Sequence, residues 1–250
     1  MRVTYITQID KTEKMIKELL KKTYLYKMYR SRKEREYRKK ITVFNESFKK
    51  EAVNVLRLYS EAMTRNGLVF WLDYGTLLGC YREHDFIKHD FDLDTSAWYE
   101  DHERIRTVLE EAGFELVRLY YLKDRDGLEE CYKHHDYSTT IDVFYYFNDG
   151  DKSYCYSFNP LVSMTKKRHL NRVQKSKARK WTFPRINPVP SVFKGVKVFV
   201  PEKTDVHLAS TYGDTFMTPI PNFPFSGRPN MTEYTYEELP ACAYLKVGYY

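Results

Sequence analysis

The chain has 250 residues, 42% of them hydrophobic and 30% charged, enough for one sizeable core and too apolar for wholesale disorder. No apolar run reaches the roughly 18 residues that cross a bilayer, no apolar h-region opens the chain, and Cys80, Cys131, Cys155 and Cys242 form no CxxC pair; these features argue against a membrane span, a secreted disulfide scaffold and a cysteine zinc site, and the expectation is a cytoplasmic protein with free thiols. The net charge of +7 is concentrated: residues 21–40 hold ten Lys/Arg against Glu34 and Glu36, residues 166–180 hold eight with no acid, and the remainder is net acidic.

In chain order, Met15, Ile16, Leu19, Leu20 and Met28 recur at helical spacing and predict an amphipathic helix over Lys11–Tyr29, followed by a run from Arg30 to Lys40 too charged to be core. Phe48, Ala52, Val55, Tyr59 and Met63 predict a second helix over Phe44–Asn66, with Gly67 as its stop. Leu68–Leu72 is a short apolar strand that ends in the turn Asp73-Tyr74-Gly75-Thr76, and Leu77–Arg82 begins a helix. Between His89 and Thr95 charged and apolar residues alternate, the period of a half-buried strand, so Asp90, Asp92 and Asp94 share one face. A helix over Asp101–Ala112 and strands over Phe114–Tyr121 and Thr140–Phe147 follow. After Asn148 the pattern is weaker: a hairpin around Gly195, a short helix over Val206–Tyr212 and an irregular Pro219–Pro229 run. The order of elements predicts an α/β (α+β) fold, a mixed β-sheet flanked by helices. Its organisation is a basic helical extension, residues 1–43, on one catalytic domain, residues 44–250.

The chemistry centres on the aspartates. Carboxylates on alternate residues of one strand face lie about 7 Å apart and repel, so a hard divalent cation, Mg²⁺ or alternatively Mn²⁺, is expected among them. Asp142, between apolar neighbours on a separate strand, is the candidate third ligand. The upstream glycine turn offers a phosphate close backbone approach and the Thr76 hydroxyl, and Arg82 offers a planar donor fork. Alternating Asp also occurs on solvated sheet edges; the glycine turn at short range favours the site.

The segment Trp71-Leu72-Asp73-Tyr74-Gly75-Thr76-Leu77-Leu78-Gly79-Cys80-Tyr81-Arg82, continued through Asp85-Phe86-Ile87 to Asp90-Phe91-Asp92-Leu93-Asp94, closely resembles the signature of the LicD family. That family includes bacterial phosphocholine transferases of surface glycans and the animal fukutins, which transfer ribitol phosphate. The resemblance implies a nucleotidyltransferase fold of the polymerase-beta superfamily, with Gly75 and Thr76 at the phosphate-contacting turn, Asp92 and Asp94 as the metal pair, Asp142 as the third carboxylate and Asp90 as an extra acid before the pair. The chain departs from the common pattern at Ile87-Lys88-His89, where many members have Ile-Pro-Trp, and at Phe91, where an acid is usual.

The expected activity is Mg²⁺-dependent transfer of a phospho-alcohol (phosphocholine, ribitol phosphate or glycerol phosphate) from a CDP-activated donor to a hydroxyl of a cell-surface glycan, releasing CMP. Asp142 or Asp90 accepts the hydroxyl proton, with Asp142 preferred. Tyr120, Tyr121, Tyr145 and Tyr146 are candidates for an aromatic cage around a quaternary ammonium, against the commoner role of tyrosine as core filler. The amphipathic helix and polybasic run suit peripheral contact with an anionic membrane at the inner face, near a lipid-linked glycan acceptor, and Lys166, Lys167, Arg168 and Arg172 suit steering of an anionic donor. The rival reading is a nucleotidyltransferase or binding protein acting on RNA through the basic patches. No nucleic-acid module is present, and no stable nucleic-acid partner is expected.

Overall fold

The computed structural model describes residues 24–161, 170–220, 223, 225 and 227–246, and the chain divides into two units, Met1–Phe44 and Asn45–Tyr250. Most of the helix expected from Lys11 lies outside the described residues, as do Lys166, Lys167 and Arg168. From Tyr24 one helix, α1 (Tyr24–Arg65), takes in both the charged run and the helix expected from Phe44. No Gly or Pro interrupts it, and Lys, Arg and Glu are strong helix formers. Among its residues in the larger unit, Phe48, Ala52, Val55, Leu56, Tyr59 and Met63 are buried at spacings of three and four.

Strand β1 (Phe70–Leu72) is buried at all three residues, which explains its unbroken apolar sequence. It leads into α2 (Tyr74–Leu78), a π-turn over Gly79–Glu83 and β2 (Asp92–Trp98). After α3 (His102–Glu111) come β3 (Phe114–Leu122), β4 (Leu128–His134), β5 (Thr140–Asp149), β6 (Lys152–Pro160) and β7 (Gln174–Pro184). The hairpin β8 (Pro188–Phe193)–β9 (Val196–Pro201) forms a separate sheet, turning through Lys194 and Gly195 at φ 51° and 77°, the positive pair that two-residue hairpins favour. Helix α4 (Thr204–Tyr212) and strands β10 (Met231–Tyr234) and β11 (Ala241–Leu245) complete the described order.

The main sheet runs β1-β2-β5-β4-β3-β11-β7-β10, and β6 pairs with both β5 and β7. That bridging closes a circuit of hydrogen-bonded strands, β5-β4-β3-β11-β7-β6. Strands β2 and β5 are parallel; the crossover between them carries α3 and the β3–β4 hairpin, since parallel neighbours need a long connection.

The structure moves some expected boundaries. The strand expected from His89 begins at Asp92, leaving Asp90 in a preceding turn closed by Asp90 N–H to the Ile87 carbonyl at 3.0 Å. The Asn45 amide fixes that turn by donating to the Lys88 and Asp90 carbonyls at 2.9 and 2.8 Å. The helix expected at Leu77 starts at Tyr74 because Asp73 caps it, accepting from Tyr74 N–H at 2.8 Å. Strands β4 and β7 fall in stretches where charged residues obscure the two-residue period.

Candidate active site

Asp73, the residue that ends β1, is fully buried. Its Oδ1 meets Tyr74 N–H at 2.8 Å and His207 Nε2 at 2.7 Å, and its Oδ2 accepts from the Ser96 hydroxyl at 2.7 Å and the Tyr146 hydroxyl at 2.9 Å. A carboxylate only accepts, so Nε2 is the protonated nitrogen of His207. Burial alone would raise the Asp73 pKa, but the charge and hydrogen bond of His207, with the hydrogen bonds from the Ser96 hydroxyl and the Tyr74 N–H, hold it below its ordinary value. This network pins the entry to the glycine turn.

The turn in its own way grips β2. Gly75 N–H donates to Asp94 Oδ2 at 2.9 Å, and Asp94 N–H donates to the Thr76 hydroxyl oxygen at 2.8 Å. Thr76 is buried. Both residues expected to contact phosphate are thus engaged with Asp94. A Cβ on Gly75 would stand 3.0 Å from Asp94 Oδ2 and 3.1 Å from Asp90 Oδ2, so any side chain here would have to push the two carboxylates back from the backbone, and Asp90, although outside the strand, delivers its carboxylate beside Asp94.

The register of the sheet gathers the rest. Asp94 is the direct neighbour of Asp142 across β2–β5, Asp142 of Cys131 across β5–β4, and Cys131 of Arg118 across β4–β3. Paired residues project to one face, and Asp92, two residues before Asp94, joins it. Arg118 Nη2 donates to Asp142 Oδ2 at 2.5 Å, while the buried Asp142 Oδ1 has no hydrogen-bond partner. Burial, then the charges of neighbouring carboxylates, push the Asp92 pKa up to about 7 and that of Asp94 well above its ordinary value. Burial raises Asp90 to about 6 against the opposing charge of Arg82, whose own guanidinium is held by Glu83 and the Phe216 carbonyl at 2.8 and 2.9 Å.

Asp90, Asp94 and Arg82 line a cleft of about 610 Å³ with Tyr74, Gly75, Phe144, Phe158, Trp181 and Tyr212 as aromatic and backbone walls and Glu129, Asn159 and Arg179 as further polar groups, while Asp92, Asp142 and Arg118 are not among its lining residues. None of the tyrosines singled out from the sequence lines the cleft: Tyr145 donates to buried Glu130, Tyr146 donates to Asp73, Tyr121 lines a separate pocket, and Tyr120 stacks at 5.7 Å on the wall residue Phe158. The cleft aromatics are different residues. Phe91 is 47% exposed, and His89 lines the cleft mouth.

Sequence reasoning missed Arg118, Glu129 and Arg179. Arg118 had a signal, a lone cation at the inward period of the strand Phe114–Tyr121. Glu129 is buried beside Glu130 in sequence but projects to the opposite face: Glu130 is tied to Arg106, Tyr132 and Tyr145, whereas Glu129 accepts from Phe158 N–H at 3.2 Å in the cleft. Burial and the charge of Asp142 push Glu129 up to about 8. Arg179 lies on β7 within the second basic patch, where Glu233 engages it at 2.9 Å.

Among the described residues, no three His, Cys, Asp or Glu side chains are gathered into a ready ligand set, and Asp142 is turned to Arg118. The donor chemistry nevertheless fits a hard divalent cation: carboxylate oxygens crowded on one face, raised in pKa by burial and then by one another, with one buried oxygen of Asp142 unpartnered.

The family described as LicD/FKTN/FKRP, nucleotidyltransferase domain, matches residues 67–203, more than half of the chain and all of the strands that carry this site. The chain belongs to the LicD family. Its relatives include the human ribitol-5-phosphate transferase FKTN, 26% identical over 189 residues, and the mouse protein of the same name, 26% identical over 187. Those alignments cover 75% and 73% of this chain but 38% and 36% of the relatives, so this LicD chain spans little more than a third of their length. Among solved structures, the lincomycin-bound lincosamide antibiotic adenylyltransferase LnuA aligns with a TM-score of 0.37 at 16% identity, covering 67% of this chain and 92% of that one.

Proposed function

We propose that this LicD protein transfers a phospho-alcohol from a CDP-activated donor to a hydroxyl of a glycan and releases CMP. The observation that carries the reading is the register of β2 and β5, which sets Asp92, Asp94 and Asp142 on one face opposite the Gly75 turn, inside the family match. Relatives named for ribitol-5-phosphate transfer support the reaction class.

In this reading Asp92, Asp94 and Asp142 hold Mg²⁺ or Mn²⁺, which when bound neutralises the donor diphosphate. The chain's residues supply the rest. Gly75 and Thr76 hold Asp94 in place, and Arg82 and Arg179 bring positive charge to an anionic donor in the cleft. The aromatic walls exclude water and pack the cytosine or the alcohol. An acceptor oxygen attacks the phosphorus distal to the cytidine; the new P–O bond forms as the bond to the bridging oxygen breaks, and CMP leaves with that electron pair. The acceptor proton passes to Asp90: Asp142 carries Arg118 and a ligand role, both of which weaken a base, whereas Asp90 lies beside the row and outside it.

The test offers CDP-choline, CDP-ribitol and CDP-glycerol with Mg²⁺ and measures CMP release. Turnover of one of them supports the reading. Turnover of nucleoside triphosphates with RNA, and of none of the three, replaces it with the RNA-directed alternative. No described helix is long and apolar enough to cross a membrane; peripheral contact through the basic N-terminal region, at an inner membrane face where a lipid-linked acceptor is presented, belongs to the same proposal and is tested by co-sedimentation with anionic vesicles with and without residues 1–40.

A further inference from the structure

The carboxylate face already contains a cation of its own. Arg118 stands at the end of the row Asp94–Asp142–Cys131–Arg118, and its Nη2 lies 2.5 Å from Asp142 Oδ2, with the two side chains 19% and 8% exposed. We propose that Arg118 is a built-in counter-ion of the metal site, occupying Asp142 in the metal-free protein and giving it up to an incoming divalent cation. The inference rests on the metal assignment made for Asp92, Asp94 and Asp142.

Three observations support it. Several carboxylates crowded on one sheet face destabilise the fold unless a positive charge compensates them, and among the described residues Arg118 is the cation in hydrogen-bonding contact with the row. Asp142 is only half satisfied by that contact, because its buried Oδ1 has no partner; a buried acceptor left unpaired costs stability, and a cation that draws on both oxygens removes the cost. Arg118 is also braced independently of Asp142. Its Cζ lies 5.6 Å from the centre of the Tyr120 ring, which stacks on Phe158, so the guanidinium keeps an aromatic contact when the carboxylate is withdrawn. The arrangement accounts for the lack of a ready three-carboxylate ligand set among the described residues.

The experiment measures thermal unfolding of the full chain against MgCl₂ and, separately, MnCl₂, for wild type, Arg118→Gln, Arg118→Lys and Arg118→Gln on an Asp142→Asn background. Exchange predicts that metal-free Arg118→Gln melts below wild type while its half-saturating cation concentration falls about tenfold, the equivalent of one charge-assisted hydrogen bond. Arg118→Lys, which keeps the charge and loses the fork, moves the midpoint in the same direction by less, and carries the test if the Gln variant does not fold. With Asp142→Asn in place, Arg118→Gln leaves the midpoint unchanged. A midpoint that stays put or rises in the Arg118 variants overturns the exchange alone, as does an effect that persists undiminished on Asp142→Asn. A wild-type protein that responds to neither cation overturns the metal assignment and the exchange together.

Discussion

His207 Nε2 lies 2.7 Å from Asp73 Oδ1, with both side chains buried, and this contact ties helix α4 to the turn that precedes Gly75. Leaving a buried hydrogen-bonding group without its partner typically costs about 1 to 3 kcal/mol, so His207→Ala is expected to lose on the order of 2 kcal/mol in urea unfolding. The pH dependence has a defined sign. Because the folded Asp73 pKa is depressed, its contribution is fully present above the ordinary carboxylate range and is lost as pH falls through the depressed value. Asp73→Asn should therefore show a shallower acid-side loss of stability than wild type; an unchanged slope below about pH 4 removes the charged network from the account.

Gly75→Ala separates activity from stability. Its φ is not among the positive ones, so alanine introduces no backbone strain and slightly favours the helix. The new methyl must displace the Asp94 and Asp90 carboxylates. CMP release should fall by about tenfold or more, since small misplacements of catalytic groups are costly, while the melting temperature stays within a few degrees of wild type. Full activity with an unchanged melt shows that the carboxylates can shift at no cost.

Neutralising the crowded carboxylates should trade activity for stability. Asp92→Asn and Asp94→Asn are each expected to abolish transfer. In metal-free protein Asp92→Asn should melt higher than wild type, because burial and the neighbouring acids oppose its charge; Asp94→Asn also weakens the bond from Gly75 and should gain less. Retention of full activity by both variants sinks the assignment of this pair to metal binding.

Glu129 contributes the opposite pH sign to Asp73. Its folded pKa is pushed up to about 8, above its ordinary value, so between those limits the folded protein binds more protons than the unfolded one and stability falls as pH rises. Glu129→Gln should cancel this loss and be more stable than wild type at pH 9, by on the order of 2 kcal/mol or more, since a tenfold change in proton affinity between the folded and unfolded chain is worth about 1.4 kcal/mol, with little difference near pH 5. Parallel stability curves for the two proteins across that window place Glu129 in a more solvated setting than the cleft.

The alternation of Asp92, Leu93 and Asp94, the Gly75 turn and the isolated Asp142 were legible because each depends on local rules: the two-residue period of a strand, the close approach that glycine allows, and the rarity of an acid between apolar neighbours. Those rules also yielded the LicD resemblance and the order of elements through β5 with the exception of β4. They placed Asp90 on the strand, where the structure has a turn, because the Asn45 amide that fixes the turn is distant in sequence.

What the sequence by itself determined is the identity of the carboxylates and the family they belong to, since both are written in residue types and spacings along one short stretch. The tertiary structure decided how they are used. The pairing of β2 with β5 sets Asp94 beside Asp142, the β3–β4–β5 register brings Arg118 to the same row, and α4 carries His207 back to Asp73. Strand order and register arise from hydrogen bonds and packing between segments far apart in the chain, so no local pattern could show that an arginine on β3 would hold the third carboxylate.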